Sequence, residues 1–398
     1  MQGRTASMEF RLGWRSDDAT HAERLYVPRL DCQRDILPGD LEGAVNDLAQ
    51  GDTAESAFGP GELVPGRDQA LVRTIRGSDF QRQLGMQRVA PRTGRFYPRA
   101  LIAGVADVFS GDYRPFRVIG LDADRMTVDL NHPLAGDALE LSASLVEELP
   151  PRGLRCGSCQ DIARMVTEKG PGLEALRADL GADFFGDYPF TRLDDNPDTV
   201  FYRMPRLVEH VDAVATREIS GIYRRLLTPG ARVLDLMSSW ISHLPEELDL
   251  EVAGLGLNEE ELQKNPRLGD RVLHDLNKTP ELPCPDASFD AVVCANSVEY
   301  LVRPLEVFAE IARVLKPDGV AVIVFSERWF PPKVISLWTE LHPFERLGLV
   351  LEGLRLTGRF GDLHSESVRG YPRPDDDKYR GMTPYADPVY AAWGRRSD

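Results

Sequence analysis

Lysine is nearly absent: of 47 cationic residues only six are lysines, and the first is Lys169. With a formal net charge of −16, the chain lacks the positive field that broad phosphate neutralisation requires, so no nucleic-acid partner is expected. The arginine bias fits a GC-rich genome and the acidity a salt-adapted host; neither bears on the fold. Cysteine is sparse and odd in number (Cys32, Cys156, Cys159, Cys284, Cys294). That excludes a disulfide framework and points to reduced thiols in a cytoplasmic protein. No apolar run reaches the roughly 18 residues of a membrane span, so no membrane partner is expected. Residues 1–15 hold no continuous apolar stretch, and no secretory leader is expected there. What is present, 398 residues at 42% hydrophobic, 28% charged and 8% aromatic, suits a soluble globular protein of two or three domains.

Two regions read differently. Up to about residue 150, short alternating segments are broken by Gly, Pro and Asp: Met8-Glu-Phe-Arg-Leu, Phe116-Arg-Val-Ile, Met126-Thr-Val-Asp-Leu and Leu139-Glu-Leu-Ser-Ala-Ser-Leu. Alternation between turn residues predicts half-buried strands, with one helix over Asp40 to Leu48. Residues 151–200 read as a helical linker, with helical spacing from Asp161 to about Leu180. A helix is also predicted over Val208 to Leu227. Then buried strands alternate with helices. Strands are expected at Arg232-Val-Leu-Asp-Leu, Leu250-Glu-Val-Ala-Gly-Leu, Ala291-Val-Val-Cys-Ala and Val320-Ala-Val-Ile-Val-Phe, with an amphipathic helix over Pro304 to Leu315. That order predicts a doubly wound, mostly parallel sheet, which binds ligands at the carboxyl ends of its strands. Residues 363–398 are polar and Pro-rich and read as a tail or lid.

In the first region, Ile36-Leu-Pro-Gly-Asp-Leu-Glu-Gly-Ala-Val-Asn-Asp-Leu-Ala-Gln-Gly-Asp and Asp129-Leu-Asn-His-Pro-Leu-Ala-Gly-Asp-Ala-Leu resemble FKBP-type peptidyl-prolyl isomerases of the SlyD-like subfamily. The resemblance implies an α+β FKBP-like domain over 1–150, with an inserted chaperone flap at about 61–130 and unfolded or proline-containing peptides as partners. It places an isomerase-like pocket at Leu41, Phe58, His132 and Leu141. Phe58 stands where the family has a tyrosine hydroxyl and Leu141 where it has a pocket aromatic, so weak or absent isomerisation is expected. Between Arg73 and Arg99 lie seven arginines and a single acid, Asp79. This basic stretch is either a solvated flap surface or a docking surface for something acidic.

In the second region, Leu282-Pro-Cys-Pro-Asp-Ala-Ser-Phe-Asp-Ala-Val-Val-Cys-Ala-Asn-Ser-Val-Glu-Tyr-Leu followed by Pro304-Leu-Glu-Val-Phe-Ala-Glu-Ile-Ala-Arg-Val-Leu-Lys-Pro-Asp-Gly-Val resembles class I S-adenosyl-L-methionine-dependent methyltransferases of the type 11 group. The resemblance implies an α/β Rossmann-like domain over 201–362 with S-adenosyl-L-methionine as cofactor and a small-molecule methyl acceptor. It places the cofactor's amino-acid end at Asp235, Met237, Ser238 and Ser239, its ribose at Leu257 and Asn258, and its adenine at Asp275 and Leu276. Asn296 and Ser297 form the floor beneath the methyl group. Two departures stand out. The first loop, Leu234-Asp-Leu-Met-Ser-Ser-Trp-Ile-Ser-His-Leu-Pro, has no glycine, and the acid that clamps the ribose in the family falls on Gly256. Backbone N–H groups at a following helix's N-terminus, with the Ser238 and Ser239 hydroxyls, are expected to replace what glycines give.

Methyl transfer needs a base only when the acceptor is not already a free nucleophile, and His243 and Tyr300 are the candidates. Trp240 and Trp329 are candidate acceptor-pocket walls. Cys156-Gly-Ser-Cys159 has ligand spacing but no second pair, so no metal site is expected. The competing function is a non-catalytic chaperone or scaffold whose second domain is a degenerate cofactor binder.

Overall fold

The computed structural model describes residues 4–84, 87–150, 158–186 and 190–397; Cys156 lies outside them. The chain divides into two units, residues 1–188 with 340–348, and residues 189–339 with 349–398.

In the first unit, β1 (Thr5–Arg15), β2 (Ala19–Asp31), α1 (Leu41–Asp47), β3 (Thr53–Phe58) and β10 (Leu139–Glu148) build an antiparallel sheet in the order β2-β1-β10-β3. Strict alternation decides which face is buried: Leu139, Leu141, Ala143 and Leu145 of β10 point inward, where Leu41 and Val45 of α1 meet them. Between β3 and β10 run β4 (Val72–Arg76), β5 (Gln83–Leu84), β6 (Gln87–Arg88), β7 (Phe96–Pro98), β8 (Pro115–Leu121) and β9 (Arg125–Asp129). Four of these form a second sheet, β4-β9-β8-β7, around a separate core of Phe80, Tyr97, Phe116, Val118, Met126 and Val128. Its arginines are partly spent internally: Arg92 pairs with Asp183 at 2.9 Å, and Arg95, fully buried, pairs with Glu345 at 3.1 Å. The long strand β2 carries no clean alternation in sequence and was not foreseen there. The helical spacing predicted from Asp161 to Leu180 yields only α2 (Ile162–Thr167), because Gly170 and Gly172, both at positive φ, end it.

In the second unit, a strap containing one helical turn, α3 (Asp198–Phe201), leads into α4 (Ala213–Leu226). Asp212 caps α4 by accepting from Ala215 N–H at 2.9 Å, and Ala215, Ile219, Ile222 and Tyr223 bury its apolar stripe. The sheet then comprises β11 (Arg232–Leu236), β12 (Glu251–Gly256), β13 (Asp270–Leu273), β14 (Phe289–Ala295), β15 (Leu315–Phe325), β16 (Phe360–Arg369) and β17 (Val389–Arg396), in the order β13-β12-β11-β14-β15-β17-β16. The first five pair in parallel; β17 is antiparallel to both neighbours. Val320 to Phe325 are buried on both faces, as a central parallel strand requires. α5 (Glu259–Lys264), with three acids in its first turn and Lys264 in its last, and α6 (Pro304–Val314), started by Pro at its first turn, cross between strands. α7 (Ser336–Glu340) and α8 (Pro343–Leu356) follow β15, with residues 340–348 of that stretch belonging to the first unit. Residues 363–398 are therefore not a tail or lid: strands β16 and β17 complete the sheet.

Candidate functional site

Strands β11, β12, β13 and β14 end on one edge, and the loops that leave them line one cavity of the second unit. That cavity takes in every expected cofactor residue: Asp235, Met237, Ser238 and Ser239 after β11, Leu257 and Asn258 after β12, Asp275 and Leu276 after β13, and Asn296 and Ser297 after β14. His243 and Tyr300 line it too, whereas Trp240 and Trp329 are not among its walls.

The loop after β11 departs from expectation. No helix follows it; residues 237–245 are irregular, so the expected carboxylate site at a helix N-terminus is absent. Serine-rich sequence ending at Pro245 is a weak helix former, because serine hydroxyls bond elsewhere. Ser238 donates its hydroxyl to Asp235 Oδ2 at 2.6 Å, and Ser242 donates to the same oxygen. Ser239 donates to Glu261 at 2.7 Å. Fully buried Asn265 ties the Ser239 carbonyl at 2.8 Å and the Ser242 hydroxyl at 2.9 Å. The serine protons are thus spent on carboxylates and are not free donors for a ligand. Met237 takes the left-handed conformation, φ 56°, where a glycine would be at ease.

The same loop explains Gly256. Ser238 N–H bonds the Leu255 carbonyl at 2.7 Å, and the Ser238 carbonyl lies 2.2 Å from where a Cβ on residue 256 would sit. A ribose-clamping acid is sterically excluded there. Asn258 does not replace it, since its carbonyl caps α5 through Glu261 N–H at 3.0 Å and its amide holds the Tyr202 and Arg203 carbonyls.

Burial sets the protonation states. Asp235, wholly enclosed, has its pKa pushed up to about 6 by desolvation, which the two serine hydroxyls oppose. His243 is pushed down to about 4, by burial first and by neighbouring His210 second, so its imidazole is neutral. Tyr300 is held well above the usual phenol range by burial. Its oxygen accepts from Phe330 N–H at 2.9 Å, so it cannot serve as a base. Among the described residues no partner bonds His243 Nδ1, Tyr223 OH or Asn296 Oδ1, and all three residues face this cavity. Buried polar atoms without partners are costly, and here a polar ligand is what they lack. Asp275 uses Oδ1 to accept from Asn277 and Lys278 N–H at 3.1 and 3.2 Å, leaving Oδ2 for an adenine amine. The residues therefore fit S-adenosyl-L-methionine at its adenine, with no free serine donor at its amino-acid end and no charged clamp at its ribose.

Sequence reading missed the roof. Asp198, Tyr202, Arg206 and His210 of the strap, with Phe330, form a further wall of the cavity, its roof. Lys333, fully buried, fixes the strap through the Asp194 and Asn196 carbonyls at 3.1 and 2.6 Å and the Asp198 carboxylate at 3.2 Å. The strap has no periodicity to betray it.

In the first unit the four expected isomerase-pocket residues do not gather round one opening. Leu41, Phe58 and Leu141 are packed in the core, while His132 lines a separate polar cavity with Arg117, Asp129 and Arg177, its Nδ1 accepting from Leu134 N–H at 3.1 Å. Among the described residues no group of three His, Cys, Asp or Glu side chains is disposed to hold a metal, and no helix is long and apolar enough to cross a membrane.

Comparison with known proteins places this geometry. Residues 238–323 match the family described as methyltransferase domain. The ubiquinone/menaquinone biosynthesis C-methyltransferase of Laribacter hongkongensis is 33% identical over 106 residues, 26% of this chain and 40% of that protein. The demethylmenaquinone methyltransferase of Deinococcus radiodurans is 35% identical over 100 residues, 24% of this chain and 39% of that protein. The chain thus spans about two fifths of the length of these curated relatives. Among solved structures, a SAM-dependent methyltransferase from Aquifex aeolicus is 17% identical, covers 50% of this chain and 97% of its own, and has a TM-score of 0.31. Within the second unit, residues 238–323 are thus similar to methyltransferase domains.

Proposed function

We propose that the second unit transfers a methyl group from S-adenosyl-L-methionine to a small-molecule acceptor. One observation carries this reading: the adenine, amino-acid-end and floor residues converge on a single cavity at the carboxyl edge of a doubly wound sheet, where such sheets hold ligands. Demethylmenaquinone, which names one relative, is a small molecule and supports that class of acceptor.

Asp275 Oδ2 and Leu276 would hold the adenine, the residues at Leu257 would meet the ribose, and Asp235 with residues 237–239 would receive the amino-acid end. The bound cofactor supplies an electrophilic methyl on a sulfonium that leaves as a neutral thioether. Asn296 and Ser297 orient the acceptor, His243 Nδ1 takes its proton, and the Tyr202–Phe330 roof excludes water, which strengthens every polar contact beneath it. In calorimetry with S-adenosylhomocysteine, Asp275→Ala is expected to weaken binding about tenfold, the worth of one charge-assisted hydrogen bond, whereas His132→Ala leaves it unchanged. No binding by the wild type at millimolar ligand would overturn the reading in favour of a scaffold, the alternative that the crowded Gly256 favours.

For the first unit we propose a SlyD-like FKBP domain that holds unfolded or proline-containing peptides. The four-stranded antiparallel sheet with one short helix, and the separately cored insertion between β3 and β10, support it.

A further inference from the structure

The roof of the cavity holds a cation without a counter-ion. The Arg206 guanidinium carbon lies 4.4 Å from the Phe201 ring centre, 5.0 Å from Phe330 and 5.4 Å from Tyr202. Its NH2 donates to the Phe201 carbonyl at 3.0 Å, and its buried NH1 has no partner among the described residues. Rings satisfy the face of a guanidinium and leave its edge donors unmet.

Every acid in the cavity wall is otherwise engaged or turned elsewhere. Asp198 is held by Arg192 at 2.8 Å and Lys333 at 3.2 Å. Asp235 accepts the Ser238 and Ser242 hydroxyls, not the Arg206 guanidinium. Glu261 accepts the Ser239 hydroxyl at 2.7 Å and the backbone N–H of Arg206 at 2.6 Å, not its guanidinium. Asp275 belongs to the turn after β13. Among the described residues Arg206 is the sole lysine or arginine in this wall, and a half-buried arginine fork with an enclosed free nitrogen suits a planar, two-oxygen acceptor.

We propose, resting on the methyl-transfer reading, that Arg206 is a carboxylate receptor: its free edge binds the carboxylate of a ligand enclosed between the aromatic roof and the loop after β11. Two ligands offer that chemistry. One is the cofactor's own α-carboxylate, since Glu261 couples the Arg206 backbone to Ser239 in the loop expected at the amino-acid end. The other is an acceptor with an aromatic ring and a carboxylate, whose ring meets Tyr202, Tyr300 and Phe330.

Calorimetry on the full chain separates them, using wild type, Arg206→Gln and Arg206→Lys. The ligands are S-adenosylhomocysteine, methylthioadenosine (which lacks the amino-acid end), naphthoate and naphthamide. If the cofactor is the source, Arg206→Gln weakens S-adenosylhomocysteine about tenfold or more and leaves methylthioadenosine unchanged. If the acceptor is the source, wild type prefers naphthoate to naphthamide by about tenfold, and Arg206→Gln abolishes the preference. In either case Arg206→Lys, which keeps charge but not the fork, falls between. An Arg206→Gln protein that melts with wild type and keeps wild-type affinity for both carboxylates overturns the proposal. Should that variant unfold, wild type decides: equal binding of naphthoate and naphthamide, with no gain of S-adenosylhomocysteine over methylthioadenosine, overturns it as well. If neither nucleoside binds wild type, the methyl-transfer reading fails, and the naphthoate pair alone decides the carboxylate site.

Discussion

Asp235 ends β11 in full enclosure, with only two serine hydroxyls to stabilise its charge. Folded, the carboxyl keeps its proton up to about pH 6; its ordinary value is 3.8. The folded state therefore loses stability, relative to a chain with no acid there, as pH rises from about 4 to about 6, and does not regain it above. The gap is worth about 3 kcal/mol at most. Asp235→Asn, which still accepts from both serines, is expected to flatten this loss. Melting temperatures of wild type and variant, measured from pH 4.5 to 7.5, should diverge as pH rises, and parallel curves would refute the assignment. A second residue-scale expectation concerns Gly256. One methyl there meets the Ser238 carbonyl at 2.2 Å, so Gly256→Ala must push the loop after β11 off β12. A cost of about 1–3 kcal/mol in urea unfolding is expected, together with loss of S-adenosylhomocysteine binding. A variant that binds and unfolds like wild type would mean the loop is not held this way.

At the level of elements, the strap between residues 190 and 212 is the part of the site that depends on remote anchors. Lys333 reaches it from beyond β15 and is buried, so Lys333→Met strands two carbonyls and two acids, Asp194 and Asp198, of which Arg192 still neutralises Asp198. Removing one partner of a buried ion pair costs about 3 kcal/mol. The expected signature is earlier proteolysis within residues 190–212, with weaker ligand binding; unchanged proteolysis would disprove the anchoring. This contrast also explains what was legible beforehand. Val233, Val292 and Val322 sit in runs whose period and length announce buried strands, and the candidate cofactor residues at their ends come from the family resemblance rather than from the period. Tyr202, Arg206 and Phe330 meet only in space, through an irregular segment with no period to read. The missing helix after β11 was invisible for another reason. Serines there bond to Asp235 and Glu261, and Glu261 lies 22 residues beyond Ser239, outside any local window. Likewise β17 looked like a polar tail because its arginines are flanked by turns rich in Pro and Asp.

On the scale of the whole molecule, each unit has its own hydrophobic clusters, and the functional reading differs between them. Phe58 contributes a buried ring and no hydroxyl, and its neighbours Leu41 and Leu141 are sealed in the core. The full chain is therefore expected to bind an unfolded, proline-containing peptide while accelerating its isomerisation weakly or not at all. A protease-coupled prolyl assay with turnover like that of a tyrosine-bearing isomerase would refute this, and Phe58→Tyr should raise any residual rate.

The position of β17 between β15 and β16 has a consequence for synthesis. β15 ends at Phe325 and β17 begins at Val389, so on the ribosome 63 residues separate a strand from the neighbour that covers its edge. At translation rates of about 5–20 residues per second that edge stands open for roughly 3–13 s. The exposed segment, Val320-Ala-Val-Ile-Val-Phe, is uncharged, β-branched and free of proline, the composition that templates strand addition between chains. During that interval the open edge is expected to invite strand addition or chaperone holding, and whatever slows elongation between residues 326 and 388 lengthens its exposure.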